Sequence, residues 1–389
     1  MYTCPSCFNL LEVDYDYDSI AESVDRQALS SRNLRSMWRY REFLPVDRFE
    51  DVTLEEGFTP ISTSTKLRAE LGLGGTYFKH EFVSPTGSFK DRGSAVLVTR
   101  AKELGFRGVT IDSSGNAAAS LATYCAREGL QCNVFMPSYA SASKLIQCAV
   151  AAANVIKVNG TRQQTYEVAN KARAKLRLFY CGFQTNSFSS EGMKTIGYEI
   201  CEQFNWDPPD WIVFPVGTGS GLVGCFKGFN ELKQLGWIDR LPSMACVQPE
   251  GCAPISRAAK AGHSKVGPVE KPASIAEGLL ISKPLRGAQV LSVLAETQGL
   301  AESVTDPEIE KAARLLMSRE GLFVEPSAAV SLAGLVKLVE SGRIGRDEDA
   351  VCMLTGSGLK TYSFYLKALK EPVEVNPDAD LQNVLKIAS

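Results

Sequence analysis

The sequence of 389 residues has only two histidines, no excess of basic charge and no long hydrophobic run. Its 42 lysines and arginines nearly balance 44 aspartates and glutamates, so the formal net charge is −2. Nucleic acids and anionic membranes both attract basic patches, so this balance argues against either partner. No apolar run approaches the roughly 18 residues that span a bilayer, and the first residues lack a signal-peptide pattern. We therefore expect a cytoplasmic protein that acts on a small molecule.

The eleven cysteines lack the regular spacing of a disulfide framework. Most of them fall inside apolar patterns, where we expect buried thiols in a reducing compartment. Only Cys4 and Cys7, in YTCPSC, have the CxxC spacing of a zinc knuckle. A structural zinc site needs four ligands, and no second pair follows at a suitable spacing, so we predict no bound metal.

From Ser94 onward, helical and strand periodicities alternate along the chain. The strand-like segments are GVTIDSS, CNVFMP, NVIKVNG, LFYCGF, WIVFPVG and SMACVQPEG, each separated from the next by a helical pattern. After Glu302 the pattern is mainly helical until a last apolar strand, DAVCMLTGSG, which we expect to rejoin the second sheet. Such a succession predicts an α/β fold with two open, mostly parallel sheets flanked by helices and a cleft between them.

The decapeptide SPTGSFKDRG places Lys90 after a turn rich in glycine and hydroxyl groups, where a helix can begin. Backbone N–H groups and hydroxyls in such a turn gather near the amine. A lysine there can form a Schiff base with an aldehyde, provided that burial or a nearby charge lowers its pKa. Taken alone, the decapeptide is equally consistent with a surface lysine beside a turn.

A second glycine-rich turn, GTGSG, follows the strand WIVFPV and precedes a helix. Glycines let the backbone approach a phosphate, and a helix N-terminus favours an anion. The turn lacks the lysine of a P-loop and the GxGxxG pattern of dinucleotide sites. Together with Lys90 upstream, it is best interpreted as a site for the phosphate of a cofactor.

The lysine motif resembles that of the fold-type II pyridoxal-phosphate (PLP) enzymes, and most of all that of the threonine synthase branch. The resemblance continues through SSGN, SSEGMKT, PVGTGSG, VQPEG, VEPSAA and LTGSGLK, in family order over nearly the whole chain. It implies a large PLP-binding domain of residues 51–93 and 186–389, with a smaller α/β domain, 94–185, inserted into it. PLP would bind in the interdomain cleft. Residues 1–50 would form an N-terminal segment with the remnant of a zinc ribbon, and the enzyme would be a homodimer.

The resemblance also implies roles for particular residues. Lys90 would hold PLP as a Schiff base and then move the substrate's α-proton. Asn116 would bind the cofactor's 3-hydroxyl, although it also suits a helix N-cap, and Thr355 would contact the pyridine nitrogen. The cofactor phosphate would bind at Gly217, Thr218, Gly219, Ser220 and Gly221, and the substrate carboxylate at Ser113, Ser114 and Gly115.

The positions expected to contact the substrate depart from the threonine synthase pattern. Ser189 stands where the family has a phosphate-binding arginine, Thr218 where it has an asparagine, and Ala117 where it has a threonine, while Lys79 remains as a possible anion ligand. The stretch ASIAEGL is more similar to that of threonine and serine dehydratases. Three functions therefore stay open: conversion of O-phosphohomoserine to threonine and phosphate, β-elimination or β-replacement on a serine- or threonine-like substrate, and a catalytically silent homologue.

Overall fold

The computed structural model describes residues 3–7, 9–138, 145–366 and 371–377. Within these ranges the strands form a six-stranded sheet, in the order β1-β2-β10-β7-β8-β9, and a four-stranded sheet, in the order β5-β4-β3-β6. The strands are β1 Ile61–Thr63, β2 Thr76–Lys79, β3 Gly108–Ile111, β4 Gln131–Pro137, β5 Asn154–Val158, β6 Phe179–Tyr180, β7 Trp211–Pro215, β8 Ser243–Pro249, β9 Leu300–Val304 and β10 Ala350–Met353.

Helices cover both sheets. They are α1 Tyr17–Ser23, α2 Arg26–Ser30, α3 Lys66–Leu71, α4 Lys90–Glu103, α5 Asn116–Glu128, α6 Leu145–Val150, α7 Arg162–Leu176, α8 Phe188–Gln203, α9 Ser220–Gln234, α10 Pro254–Lys260, α11 Gly287–Glu296, α12 Asp306–Leu315, α13 Pro326–Glu340 and α14 Tyr362–Leu366. Capping boxes start α7 and α12, where Thr161 and Thr305 satisfy N–H groups that a helix end leaves free. A predicted helix over residues 142–153 lies partly outside the described residues.

The six-stranded sheet is parallel except for β1, which pairs antiparallel with β2. Its central strand β7 is buried along its whole length, as its unbroken apolar sequence predicts for a sheet covered on both faces. The last strand, β10, lies between β2 and β7, so the prediction that it rejoins the second sheet is confirmed. Because β7 and β10 run parallel, the glycine-rich turn after β7 and Thr355 after β10 lie at the same edge of the sheet.

The four-stranded sheet is entirely parallel and is built from residues 108–180. The predicted α/β class with two sheets is thus confirmed. All four strands fall inside the range predicted for the inserted domain, although the domain boundaries themselves stay a prediction. Helix α4 contacts helices from both parts of the fold. The hydroxyls of Ser94 and Ser120 of α5 form a hydrogen bond, and Gly93 packs against α8.

Helices α4, α8 and α9 pack with their backbones in contact. A Cβ atom at Gly192 of α8 would collide with the carbonyl of Arg92 in α4, and one at Gly228 of α9 would collide with the carbonyl of Lys194 in α8. Only glycine permits so close an approach of two helix backbones. The helix that carries Lys90 is therefore held at a fixed distance from its neighbours.

Two parts of the fold were not predicted from the pattern. Strand β9 falls at the point where the sequence was expected to become helical, because Glu302 and Ser303 interrupt its apolar run. The pair β1 and β2 is short and lies between loops. Strands β1 and β9 are the edges of the six-stranded sheet, and β2 lies next to β1. An edge strand has a neighbour on one side only, so it does not need the continuous apolar sequence of a central strand.

The N-terminal segment packs against the large sheet's helices. The side chains of Trp38 and Phe43 are fully buried, while Tyr15 donates to Glu191 of α8 at 2.8 Å. Cys4 and Cys7 lie in a turn closed by a bridge between Thr3 and Leu10. Over the described ranges, no group of three or more metal-ligating side chains is present. Over the same ranges, no helix combines the length and the apolar character that a membrane crossing requires.

Candidate active site

Lys90 is the first residue of α4 and lies in an apolar environment. Its Nζ atom is 4.2 Å from the ring centre of Phe89 and 5.1 Å from that of Phe183. Burial lowers the pKa of Lys90 to about 8, although the charge of Glu325 opposes this shift. About a tenth of the lysine is then a free amine at pH 7, which nucleophilic attack on an aldehyde requires.

The residues beside Lys90 fix the turn that presents it. The buried Asp91 carboxylate accepts hydrogen bonds from the backbone N–H of Thr86 at 2.7 Å and from its hydroxyl at 2.5 Å. The backbone N–H of Phe89 donates to the carbonyl of Thr355 at 3.1 Å. The lysine turn is therefore tied to the end of β10, so Lys90 and Thr355 lie on adjoining segments, while the roles assigned to them stay predictions.

Arg92 anchors the same helix in a fully buried ion network. Its guanidinium contacts Glu81 at 2.7 Å and Glu199 of α8 at 2.5 Å. Burial alone would raise the pKa of Glu199, but the charges of Arg92 and Lys79 hold it at about 2. Such a network has a defined geometry, and it keeps the start of α4 in place against α8.

Lys79 belongs to this network and not to the site. Its Nζ donates to the carbonyl of Thr59 at 2.7 Å, to Glu199 at 2.8 Å and to Gln203 at 3.0 Å. An ammonium group has three N–H donors, and these three bonds use all of them. The expectation that Lys79 meets an anionic substrate is thus not supported by its position.

Ser189 is likewise fully buried. Its hydroxyl lies 2.8 Å from the carbonyl of Asn186 and 3.2 Å from that of Phe183. A Cβ atom at Gly93 would lie only 3.0 Å from the Ser189 carbonyl, which shows how closely α4 covers this position. The Ser189 side chain therefore lies within the protein packing and not at an open surface of the site.

The glycine-rich turn ends at the start of α9. Gly219 has a φ of +92°, and a Cβ atom there would lie 2.8 Å from Val290. A Cβ atom at Gly221 would lie 2.8 Å from the rings of Phe89 and Phe214. Close packing therefore requires glycine at both positions. No side chain caps the N-terminus of α9, and such a helix end suits an anion. Thr218 and Ser220 add hydroxyls that lie 3.2 Å apart.

Asn116 begins α5 and faces a buried glutamate. Its Nδ2 atom donates to both carboxylate oxygens of Glu325, at 3.0 and 3.2 Å, while its buried Oδ1 atom has no partner among the described residues. Glu325, which precedes α13, is only 4% exposed. Sequence reasoning assigned it no role, although a glutamate before proline inside the matching motif VEPSAA was a usable signal.

The loop before α5 is partly exposed and contains Ser113, Ser114 and Gly115, with Ala117 just inside the helix. The backbone N–H of Gly115 donates to the Ser113 hydroxyl at 3.3 Å, and a Cβ atom at Gly115 would meet nothing within 4 Å. This loop therefore borders open space. Its position at a helix N-terminus suits a carboxylate.

These residues fit PLP. The glycine turn offers a phosphate a helix N-terminus without a side-chain cap, and Lys90 supplies an amine with a lowered pKa. The unpartnered Asn116 oxygen is a buried polar group left for a ligand. The family model described as pyridoxal-phosphate dependent enzyme matches residues 52–356.

The chain belongs to the family of pyridoxal-phosphate dependent enzymes. Among relatives of this PLP-dependent enzyme, the threonine synthase of Methanocaldococcus jannaschii is 43% identical over 99% of this chain and 94% of its own length. The threonine synthase of Methanosarcina acetivorans is 40% identical over 98% of this chain and 93% of its own length. The PLP cofactor and the resemblance inferred from the motifs are thereby confirmed.

Solved structures of similar proteins bear out the fold. The serine racemase of Dictyostelium discoideum is 25% identical, has a TM-score of 0.66, and the match covers 77% of this chain and 92% of that one. Maize serine racemase, at 21% identity, has a TM-score of 0.69 over 80% of this chain and 91% of its own. The predicted fold-type II architecture is therefore confirmed.

Proposed function

We propose that this PLP-dependent lyase is a threonine synthase, which converts O-phosphohomoserine and water to threonine and phosphate. The observation that supports this most strongly is the similarity to a threonine synthase along 99% of the chain. The site agrees with it, because an amine of lowered pKa, Lys90, lies at the sheet edge where the glycine turn and Thr355 meet.

In this proposal, Lys90 holds the cofactor and the turn Gly217–Gly221 binds its phosphate. Asn116 contacts the ring hydroxyl and Thr355 the pyridine nitrogen. A neutral hydroxyl beside that nitrogen, in place of a carboxylate, leaves it largely unprotonated, which suits elimination and replacement. When bound, PLP supplies the electron sink that stabilises negative charge at the substrate's carbons.

Lys90 also moves protons. With a pKa of about 8, its Nζ atom exchanges a proton readily near neutral pH, so it accepts the α-proton of the substrate and returns a proton later. Neither histidine competes for this role. Burial, together with the charge of Lys79, lowers the pKa of His80 to about 4, and its ring is bonded to Ser62 at 2.7 Å. His263 lies exposed on the surface near the end of α10.

The substrate carboxylate binds, in this proposal, at the N-terminal end of α5. Ser113 and Ser114 supply hydroxyls there, and Gly115 leaves the approach open. Glu325 holds the Asn116 side chain through both oxygens, so it fixes the residue that faces the cofactor ring. Glu325 is therefore a positioning residue.

The second candidate is β-elimination or β-replacement on a serine- or threonine-like amino acid. It is favoured by Lys79, a possible anion ligand whose N–H groups all bind elsewhere, and by Ser189, which is buried where the family has a phosphate-binding arginine. This reaction needs the same Lys90, Asn116 and glycine turn. It needs no second phosphate site unless the substrate is phosphorylated.

A panel of substrates distinguishes the threonine synthase from the β-eliminating or β-replacing enzyme. The PLP-loaded enzyme is mixed with O-phosphohomoserine, O-phosphoserine, serine and threonine, and the release of phosphate, threonine and keto acid is followed. Threonine with equimolar phosphate from O-phosphohomoserine supports the threonine synthase. Keto acid from the shorter substrates alone refutes it and supports the second candidate.

We further propose a homodimer in the cytoplasm. The dimer rests on the resemblance alone, and light scattering of the purified enzyme tests it, since a mass equal to one chain would refute it. The compartment is supported by nine buried cysteines that remain free thiols, as a reducing environment favours. Fractionation of the producing cells tests the location.

A further inference from the structure

Arg286 precedes α11 and is fully buried, with an incomplete set of partners. Its Nη1 atom donates to Glu12 at 2.9 Å and to Gln289 at 3.0 Å. Its Nε and Nη2 atoms are buried and have no hydrogen-bond partner in the parts of the chain that the structure describes. Buried guanidinium groups normally satisfy their donors, so two free ones point to a ligand.

The two free donors lie on one edge of the guanidinium plane. Nε–H and one Nη2–H point in the same direction, and this edge binds phosphate or carboxylate oxygens through two parallel bonds. Glu12 and Gln289 hold the opposite corner and fix the plane. The arrangement is therefore that of an anion-binding edge whose orientation is already set.

Arg286 lies next to the glycine-rich turn that precedes α9. A Cβ atom at Gly219 would lie 3.2 Å from the Cβ of Arg286. The neighbouring backbone N–H of Leu285 donates to Gln184 at 3.3 Å, and Gln184 follows Phe183, whose ring faces Lys90 at 5.1 Å. Arg286 thus lies against the glycine turn, and its neighbour Leu285 contacts the segment that carries Phe183 beside Lys90.

We propose that the free edge of Arg286 binds the phosphate group of the substrate, in place of the arginine that is absent at position 189. This inference rests on the proposed function and names the residue that selects a phosphorylated substrate. In the proposed function, the cofactor's phosphate binds at the start of α9, where no side chain caps the helix. Arg286 is then available for the second phosphate that O-phosphohomoserine brings.

Glu12 sets the strength of this site. Its carboxylate lies on one corner of the Arg286 guanidinium and is 40% exposed, so it partly neutralises the charge that a phosphate meets. Removing the Glu12 charge while keeping its hydrogen-bonding shape strengthens phosphate binding. Removing the Arg286 charge weakens it. The two changes therefore have opposite effects, which a loss of folding would not produce.

The test uses the PLP-loaded enzyme and inorganic phosphate, the product of the proposed reaction. Calorimetry gives the Kd of phosphate, and steady-state kinetics give KM and kcat for O-phosphohomoserine. The variants are Arg286→Gln, Arg286→Lys and Glu12→Gln. Arg319→Gln is the matched control, because it removes an arginine that pairs with Glu70 on the surface.

We expect Arg286→Gln to raise the phosphate Kd and the KM about 10- to 100-fold, the usual worth of hydrogen bonds to a charged group. PLP affinity and the visible spectrum should stay unchanged. Arg286→Lys should recover only a small part of the phosphate affinity that Arg286→Gln loses, because lysine lacks the paired donors. Glu12→Gln should lower the phosphate Kd, and the control should match the parent enzyme.

An unchanged phosphate Kd in Arg286→Gln, or weaker PLP binding with an unchanged KM, overturns the inference. If Arg286→Gln fails to fold, Glu12→Gln still decides, since a phosphate Kd that does not fall contradicts the proposal. Phosphate binding needs no turnover, so a parent enzyme that makes no threonine refutes the proposed function and leaves this test of Arg286 intact.

Discussion

Replacing Glu325 by glutamine should lower the pKa of Lys90 further. The negative charge of Glu325 favours the ammonium form of Lys90 and opposes the effect of burial, which has brought the pKa to about 8. Removing one charge in a partly buried site shifts a neighbouring pKa by about one unit, or about 1.4 kcal/mol. Glutamine keeps an acceptor for the Asn116 amide, so the change acts mainly through charge.

The consequence is a faster capture of the cofactor near neutral pH. With a pKa of 8, about a tenth of Lys90 is free amine at pH 7, and with a pKa of 7 about half is free. The rate at which the cofactor-free protein binds PLP covalently should then rise about five-fold at pH 7 and converge with the parent rate above pH 9. Stopped-flow absorbance from pH 6 to 10 measures it.

The control is Glu70→Gln, which removes a carboxylate from the exposed pair with Arg319. It should leave the midpoint of the rate–pH curve at about 8. A midpoint in Glu325→Gln that stays at 8 or moves upward would show that Glu325 does not influence Lys90, and the electrostatic account of the site would be wrong.

Further changes test other parts of the structure. Lys90→Ala should abolish turnover and the visible absorbance of lysine-bound PLP while leaving the melting temperature of the cofactor-free protein within a few degrees; retained turnover would refute its role. Gly219→Ala should weaken PLP binding at least 10-fold, because a Cβ atom strains a residue with a φ of +92° and would lie 2.8 Å from Val290; an unchanged Kd by fluorescence titration would contradict this. Glu199→Gln should cost about 3–5 kcal/mol in urea unfolding at pH 7, because it leaves buried cations unpaired. Since the folded-state pKa of Glu199 is about 2, below its unfolded value, that difference should shrink as the pH falls from about 4.5 towards 2; a constant difference would argue against the network. Ser189→Arg should lower stability and not improve the use of O-phosphohomoserine, whereas Ser189→Ala should be tolerated; an improved KM would show that the position faces the substrate.

The local features of this enzyme were predictable from the sequence. Strand and helix periodicities, and turns with glycine at the ends of buried strands, are properties of short segments, so Lys90, Asn116 and the turn Gly217–Gly221 could be identified. The backbone hydrogen bond from Phe89 to the carbonyl of Thr355 shows that the lysine turn and the end of β10 meet.

Pairings between distant charged residues could not be predicted in this way. Lys79 lies 120 residues from Glu199, and Arg286 lies 274 residues from Glu12. No periodicity marks which charged side chain turns inward, because the partner that makes burial tolerable comes from another element. The sequence therefore did not show that Lys79, Glu325 and Arg286 are buried.

The close contact between the backbones of α4, α8 and α9 affects how variants of this enzyme should be interpreted. Any side chain larger than a hydrogen atom at Gly192 or Gly228 must push a neighbouring helix away, and α4 begins with the reactive lysine. A substitution at either glycine would therefore resemble an active-site defect in an assay, although neither glycine belongs to the proposed site. If substitutions at Gly192 and Gly228 lower the activity in a mutational survey, the cause is the displaced helix packing and not a loss of catalytic groups.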